Sequence, residues 1–324
     1  MSLTAALHTS LNGLQTSQKA ISIVSENVNN VDTEGYSKKE VSQQTVILPG
    51  GYSAGATVNT NLRQVDEQLR SQYRVESGTM QSYEVRKYYL DLVQAKMGTV
   101  SSESSLSNRV AALQSAFESL GVDSDKLNAQ QTAVTSLDTA LSQIKSLSDE
   151  IQSLRQETDQ TITELCKDVT DILNQIDKLN DDIVRTEALG NTTSDNYRDE
   201  RDTLLTQLSE IMDVQSYERS TGELVILTTS GKPLVDKDAT TVTHISSSAT
   251  GALVNYSSGE ITGIYAGNFD ITNEIKSGEL YGLVQLRDTE LQDLQMELDE
   301  LSYQLQSYLN KVSNQGTSYP TMTY

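Results

Sequence analysis

Tryptophan is absent from the 324 residues, phenylalanine occurs twice, proline three times and cysteine once. Each scarcity closes off a class. One thiol, Cys166, forms neither an internal disulfide nor a multi-cysteine metal centre, and two separated histidines, His8 and His244, supply too few ligands for a metal site of their own. No run of 18 apolar residues occurs, and the opening MSLTAALHTSLNGLQTSQKA lacks both a basic stretch and a continuous apolar one. Neither a membrane-spanning helix nor a cleaved secretory signal is therefore expected. Positive charge is also scarce: 24 Lys and Arg face 45 Asp and Glu, a formal net charge of -21 that repels nucleic acid and anionic lipid surfaces. With 15 Tyr as the main aromatic and 36% hydrophobic residues, the composition suits long polar helices with narrow apolar seams better than a thick core.

Catalytic patterns are scarce too. No glycine-rich phosphate loop is followed by Lys-Ser/Thr, no Ser/His/Asp arrangement can be assembled, and the acidic clusters lack metal-loop spacing. The paired carboxylates of DERD, Asp199 to Asp202, stand at a helix start, where they serve the helix dipole and local ion pairs. Cys166 has no basic neighbour and reads as a small packed residue. No enzyme, cofactor or metal is expected.

What the sequence does hold is periodicity. Leu7, Leu14, Ile21 and Val28 recur every seven residues, with Val24 and Val31 three further on, which predicts one half of a coiled-coil seam. The seam is narrow, because Ser10 and Ser17 take the earlier places of its second row, so the helix needs partners. Around VSQQTVILPGGYSAGATV the helical period gives way to alternation and turn formers, an extended or hairpin-like linker. Helical pattern resumes from Glu76 to Leu120, and Asp123 or Ser124 is placed as the cap of the next helix. From Val134 to Ile183 apolar residues alternate spacings of three and four over about 75 Å of helix, interrupted by Ser148, Arg155 and Thr158. Period two follows, in ELVILTT, KPLVD, ALVNY and EITGIY, and heptads return with Val284, Leu291, Leu298, Leu305 and Val312. The expected fold is mainly α: an elongated coiled-coil or helical-bundle rod with a small β-rich insert and an amino-terminal helix. Its segments are 1–35 for that helix, 36–76 for the linker, 77–213 for the first part of the rod, 214–278 for the insert and 279–324 for the closing helix and tail.

The stretch ENVNNVDTEGYSKKEV, at the end of the first helix, resembles the amino-terminal signature of the bacterial flagellar rod, hook and hook-associated protein family, an Asn-rich helix end followed by Gly-Tyr-Ser/Thr. Asn27, Asn30, Thr33, Gly35, Tyr36 and Ser37 match it, while Glu34 stands where the family often has proline. The blocks LNQIDKLNDDIVRTE, YRDERDTLLTQLSEIMDV and SGELYGLVQLRDTELQDLQMELDELSYQLQSYLNKV narrow the resemblance to hook-associated members. The resemblance implies a structural subunit at the hook-filament junction. Its axial helix would assemble by packing Leu7, Leu14, Ile21, Val24, Val28 and Val31 against neighbours. Implied partners are copies of itself, the hook protein, a second junction protein, an export chaperone and the flagellar type III export apparatus, with no nucleic acid and no membrane insertion. The implied location is the extracellular flagellum, reached without a cleaved signal. Relatives carry a second terminal helix at the far carboxyl end that this sequence does not show, so either the sequence is a fragment or split product, or the axial helix pairs only with its neighbours. In that frame Asn27, Asn29 and Asn30 terminate the helix, Gly35 supplies a special backbone conformation and Tyr36 anchors the exit. The alternatives are another rod or hook subunit and a coiled-coil adaptor.

Overall fold

The computed structural model describes residues 3–33, 35–48, 52–99, 102, 104–189, 194–247 and 254–316. Glu34, Pro49, Gly50, Gly51 and the residues from 317 on lie outside the described residues. The architecture is mainly α. Helix α1, Leu3–Asn29, leads into strands β1, Lys39–Leu48, and β2, Tyr52–Arg63, which pair antiparallel with two register shifts. Helix α1 packs on this hairpin, burying Thr16 and Ile23.

The rod begins with α2, Glu67–Met97, earlier than the sequence pattern implies, so the linker expected over 36–76 gives way to helix at residue 67. Asp66 caps it, accepting the Leu69 amide at 3.0 Å. Its first turns carry no apolar period because they bury nothing: Leu69, Tyr73 and Val75 are exposed, and burial along the helix begins only at Gly78. A Cβ on Gly78 would come within 2.4 Å of the Ser209 carbonyl, so glycine here sets the close approach of the neighbouring helix. The single helical run expected over 76–120 is also divided. Gly98, with φ 78°, ends α2, and Ser105 caps α3, Leu106–Val122, by accepting the Asn108 amide at 3.3 Å.

Helix α4, Leu127–Ala188, has 62 residues, a rod of about 93 Å at 1.5 Å per residue. It starts without the expected cap: Asp123 closes α3, and the residue ahead of α4, Lys126, makes no side-chain capping bond. Its seam is buried from Ile144 to Ile183, but Val134 and Leu141 stay exposed while Ala133 and Ala140 are buried along the stretch where α3 folds back. Small residues took the inner face there, and the apolar spacing pointed to the wrong one. Cys166 is 1% exposed and Leu165 half-buried.

Helix α5, Ser194–Ile211, packs on α4 and α2. Two small antiparallel sheets follow: β3, Gln215–Glu218, β4, Leu224–Leu227, and β5, Pro233–Val235, in that order, then β6, Val242–Thr243, β7, Tyr265–Ala266, and β8, Phe269–Asp270. The chain returns to the rod through α6, Gly278–Gln285, a π-helical turn, Leu286–Glu290, and α7, Leu291–Gly316. Arg287 pairs with Asp159 at 2.6 Å, and Gln295 accepts from Ser148 and Gln152 at 3.1 Å, so α7 runs antiparallel to α4. The polar interruptions of the α4 seam are thus where other elements attach. Arg155 donates to the Arg287 carbonyl at 3.2 Å and to the Val254 carbonyl.

Candidate assembly site

The five seam residues of α1 stand in solvent, Leu7 70% exposed, Leu14 57%, Ile21 67%, Val24 60% and Val28 66%, and so does Val31, which falls in the turn past the helix end, at 75%. The helix turns another face to the hairpin and leaves this apolar row without a partner among the described residues. A row of leucine and valine that wide open costs solvation free energy that only another surface can recover.

The end of α1 is fastened differently. Asn27 donates from Nδ2 to the Lys39 carbonyl at 2.9 Å, and its Oδ1 accepts the Lys39 amide and the Tyr36 hydroxyl, both at 3.0 Å. One side chain thereby replaces the ladder partner that the first residue of β1 lacks on that side. Asn30 donates to the Glu26 carbonyl at 2.9 Å, and Thr33 donates to Asn30 Oδ1 at 3.3 Å, closing the helix end. Gly35 follows at φ 79°, against α5: an added Cβ would lie 2.1 Å from Thr203 Oγ1.

Helix α5 holds this turn by a buried ionic clamp. Ser37 donates to Asp199 Oδ1 and accepts from Arg63 Nε at 3.1 Å, while Arg63 also reaches Asp199 at 2.9 Å and Asp202, which Arg70 pairs with as well. Lys39, 3% exposed, pairs with Glu26 at 2.7 Å, bonds Asn196, and lies 4.8 Å from the Tyr36 ring centre. Burial, then the negative charges of Glu26, Asp199 and Asp195, push the Tyr36 hydroxyl above its ordinary pKa. Burial likewise raises Asp195. Asp199 and Asp202 of DERD, read from sequence as serving their own helix, instead bind arginines more than 100 residues away. Arg63, Arg70 and Lys39 were not singled out by sequence, because separated charges carry no spacing signal.

Elsewhere the chemistry is structural. His8 is exposed. His244 is buried, with Nε2 2.9 Å from Asp159 and Nδ1 3.2 Å from the Gly263 carbonyl. Asp159 also accepts from the Ser247 amide at 2.7 Å. Burial pushes its carboxyl up, but His244, the Ser247 amide and Arg287 together outweigh burial and hold it below the usual range. This cluster ties the β insert to the rod. Burial raises the Cys166 thiol to about 12. No group of three or more His, Cys, Asp or Glu among the described residues could hold a metal, and no helix among them is long and apolar enough to cross a membrane.

The family described as the flagellar hook-associated protein FlgK helical domain matches residues 92–321, well over half of the chain, and the flagella basal body rod protein family matches residues 7–36. Flagellar hook-associated protein 1 from Salmonella typhimurium and its counterpart from Salmonella typhi are each 23% identical over 327 aligned residues. The match covers 97% of this chain but 57% of theirs. In fold, the flagellar hook junction protein FlgK from Burkholderia pseudomallei superposes with a TM-score of 0.54 at 19% identity, over 70% of this chain and 40% of that one.

Proposed function

The chain belongs to the flagellar hook-associated protein FlgK family, and from that premise we propose that it is a structural subunit of the bacterial flagellum at the hook-filament junction. The observation that carries this reading is the α1 seam, five apolar residues in heptad register that are 57–70% exposed, continued by Val31 in the turn beyond. In the assembled flagellum, neighbouring subunits cover that row, and ordering of α1 is coupled to assembly. The clamp of Asn27, Ser37, Arg63, Asp199 and Asp202 sets the direction in which α1 leaves the rod, so that the seam arrives in register with its neighbours.

The subunit works by packing, without catalysis or cofactor. Its partners are copies of itself, the hook protein and a second junction protein. It reaches the cell exterior through the flagellar type III export apparatus with the help of a chaperone. The match of residues 7–36 to basal body rod proteins favours one other reading, a rod or hook subunit.

Ile21→Asp, in cells whose only copy carries it, separates these. It places a charge in the seam, away from the clamp. A junction subunit predicts hooks without stable filaments and flagellin released into the medium. Loss of the hook itself indicates the rod or hook reading, and normal filaments exclude both.

A further inference from the structure

Helix α2 carries a second exposed row. Leu69, Tyr73, Glu76, Met80, Tyr83 and Lys87 follow one another at spacings of four, three, four, three and four, the heptad pattern of a coiled-coil seam, and all six are exposed. The four apolar members are 53–63% open to solvent. The helix buries its opposite face, through Gly78, Ser82, Tyr89 and Val93, so no element among the described residues covers the row. Leu127, Val134 and Leu141 of α4 also stand exposed at intervals of seven, but as a single line: the second line would be Gln130 and the half-buried Leu137. The α1 seam and the α2 row are thus two heptad faces of one chain, each open on both of its lines.

Charge, register and area match them to each other. Among Lys, Arg, Asp and Glu, α1 contains only Lys19 and Glu26, so it is formally neutral in a chain of net charge -21, and it packs chiefly on its own hairpin. A second copy can therefore close on it with little of the repulsion that opposes contact between two acidic rods. In a parallel pair, the register that sets Leu14 on Tyr73 also sets Ile21 on Met80 and Val24 on Tyr83. The same register brings Glu76, the carboxylate of the row, onto Ser17, the polar gap of the seam, and lays Val28 along the stem of Lys87. An antiparallel pair instead turns Glu76 against Leu7, Leu14, Ile21 or Val28, where its charge is buried without a partner. The contact removes roughly 1,000 Å² from water, the lower bound of a specific interface, which suits a contact that forms within an assembly.

We infer that the α1 seam of one subunit packs, parallel and in this register, on the α2 row of a second copy of the chain. The inference rests on the reading that neighbouring copies cover the seam, and it names the surface that does so. Seam and row are different surfaces, so each copy gives one helix and receives one. Such a head-to-tail contact propagates from copy to copy, where a twofold contact would stop at a dimer.

The test mixes whole chains that each carry a single thiol in a Cys166→Ala background, Leu14→Cys in one and either Tyr73→Cys or Val75→Cys in the other. Tyr73 and Val75 are equally open, at 61% and 62%, but only Tyr73 lies on the row. Under mild oxidation the disulfide joining positions 14 and 73 should exceed both the one joining 14 and 75 and the one joining two copies of 14 by at least tenfold. Tyr83→Asp in the second chain, a change at an exposed position that leaves the thermal midpoint unaltered, should remove that excess. Equal yields at positions 73 and 75, a predominant product between two copies of 14, a higher yield with Val134→Cys, or no disulfide at all overturns the inference. Thiol access to Leu14→Cys in intact hook-filament preparations judges the junction reading separately. A covered seam without the 14-to-73 disulfide sinks the inference and leaves that reading standing; an open seam sinks both.

Discussion

Replacing Gly35 by alanine probes how the first helix is docked. Its φ of 79° lies in the left-handed region, which costs a residue with a side chain roughly 1–2 kcal/mol. The new Cβ also falls 2.1 Å from Thr203 Oγ1, an overlap that costs about 1–3 kcal/mol when neighbours must shift. Thr203 does not yield freely, because its hydroxyl donates to the Asp199 carbonyl at 3.0 Å. Gly35→Ala should therefore weaken the docking of the turn on α5 by roughly 2–5 kcal/mol. The rod itself stays folded, since its core from Ile144 to Ile183 is remote from the change. Amide exchange at Tyr36 and Lys39 reads the effect, because both amides are bonded only when the turn is formed, to the Thr33 carbonyl and to Asn27 Oδ1. The decisive control is Thr203→Ala, which removes the overlap but not the backbone cost, so the double variant should recover about 1–3 kcal/mol of the loss. Unchanged protection in Gly35→Ala, or no recovery with Thr203→Ala, refutes the reasoning.

Four further outcomes are expected. Ile172→Asp buries an unpaired charge in the α4 core, where Ile172 is 8% exposed, and should destabilise by several kcal/mol; an unaltered thermal unfolding curve would remove Ile172 from that core. Arg63→Ala leaves Asp199 without a cation, while Asp202 keeps Arg70, and should cost about 3–5 kcal/mol, read as earlier proteolysis near residues 33–38. Asp159 has a folded pKa below its unfolded one, so its stabilisation is complete above the unfolded value near pH 4 and is lost as pH falls through the depressed folded value. Asp159→Asn should accordingly be less stable at neutral pH and show a flatter acid limb in denaturant titrations. Cys166, pushed up to about 12, should react with a thiol reagent at pH 8 only at the rate of unfolding; prompt labelling of the folded chain would place it at the surface.

The parts legible in the sequence were those written in repeats. The α4 heptads from Ile144 onward and the α1 seam are visible because apolar residues recur at a fixed interval, and their burial or exposure is then a matter of which partner is at hand. At the start of α4 the same logic failed: Ala133 and Ala140 carry too little hydrophobicity to mark an inner face, so Val134 and Leu141 appeared to. Helix α2 was hidden in its early turns for a related reason. Leu69, Tyr73 and Val75 stay exposed there, and where burial does begin, Gly78 and Ser82 pack through closeness, as does Gly282 opposite, with a Cβ that would meet the Ser82 carbonyl at 2.7 Å. The clamp was the least legible. Arg63 and Asp199 stand 136 positions apart, and nothing in a charge pattern distinguishes a buried pair from two solvated residues. The Gly-Tyr-Ser turn itself was visible as a motif, but its docking surface on α5 was not.

The claim that neighbouring subunits cover the α1 seam is tested most directly by solvent access at Leu14. In a Cys166→Ala background, Leu14→Cys carries the chain's single thiol at a position 57% exposed in the isolated protein. A maleimide reagent should label it rapidly in the purified monomer and fail to label it in intact hook-filament preparations, with labelling restored when those are dissociated by acid. Equal labelling in monomer and flagellum would show the seam open in the assembly and would contradict the account.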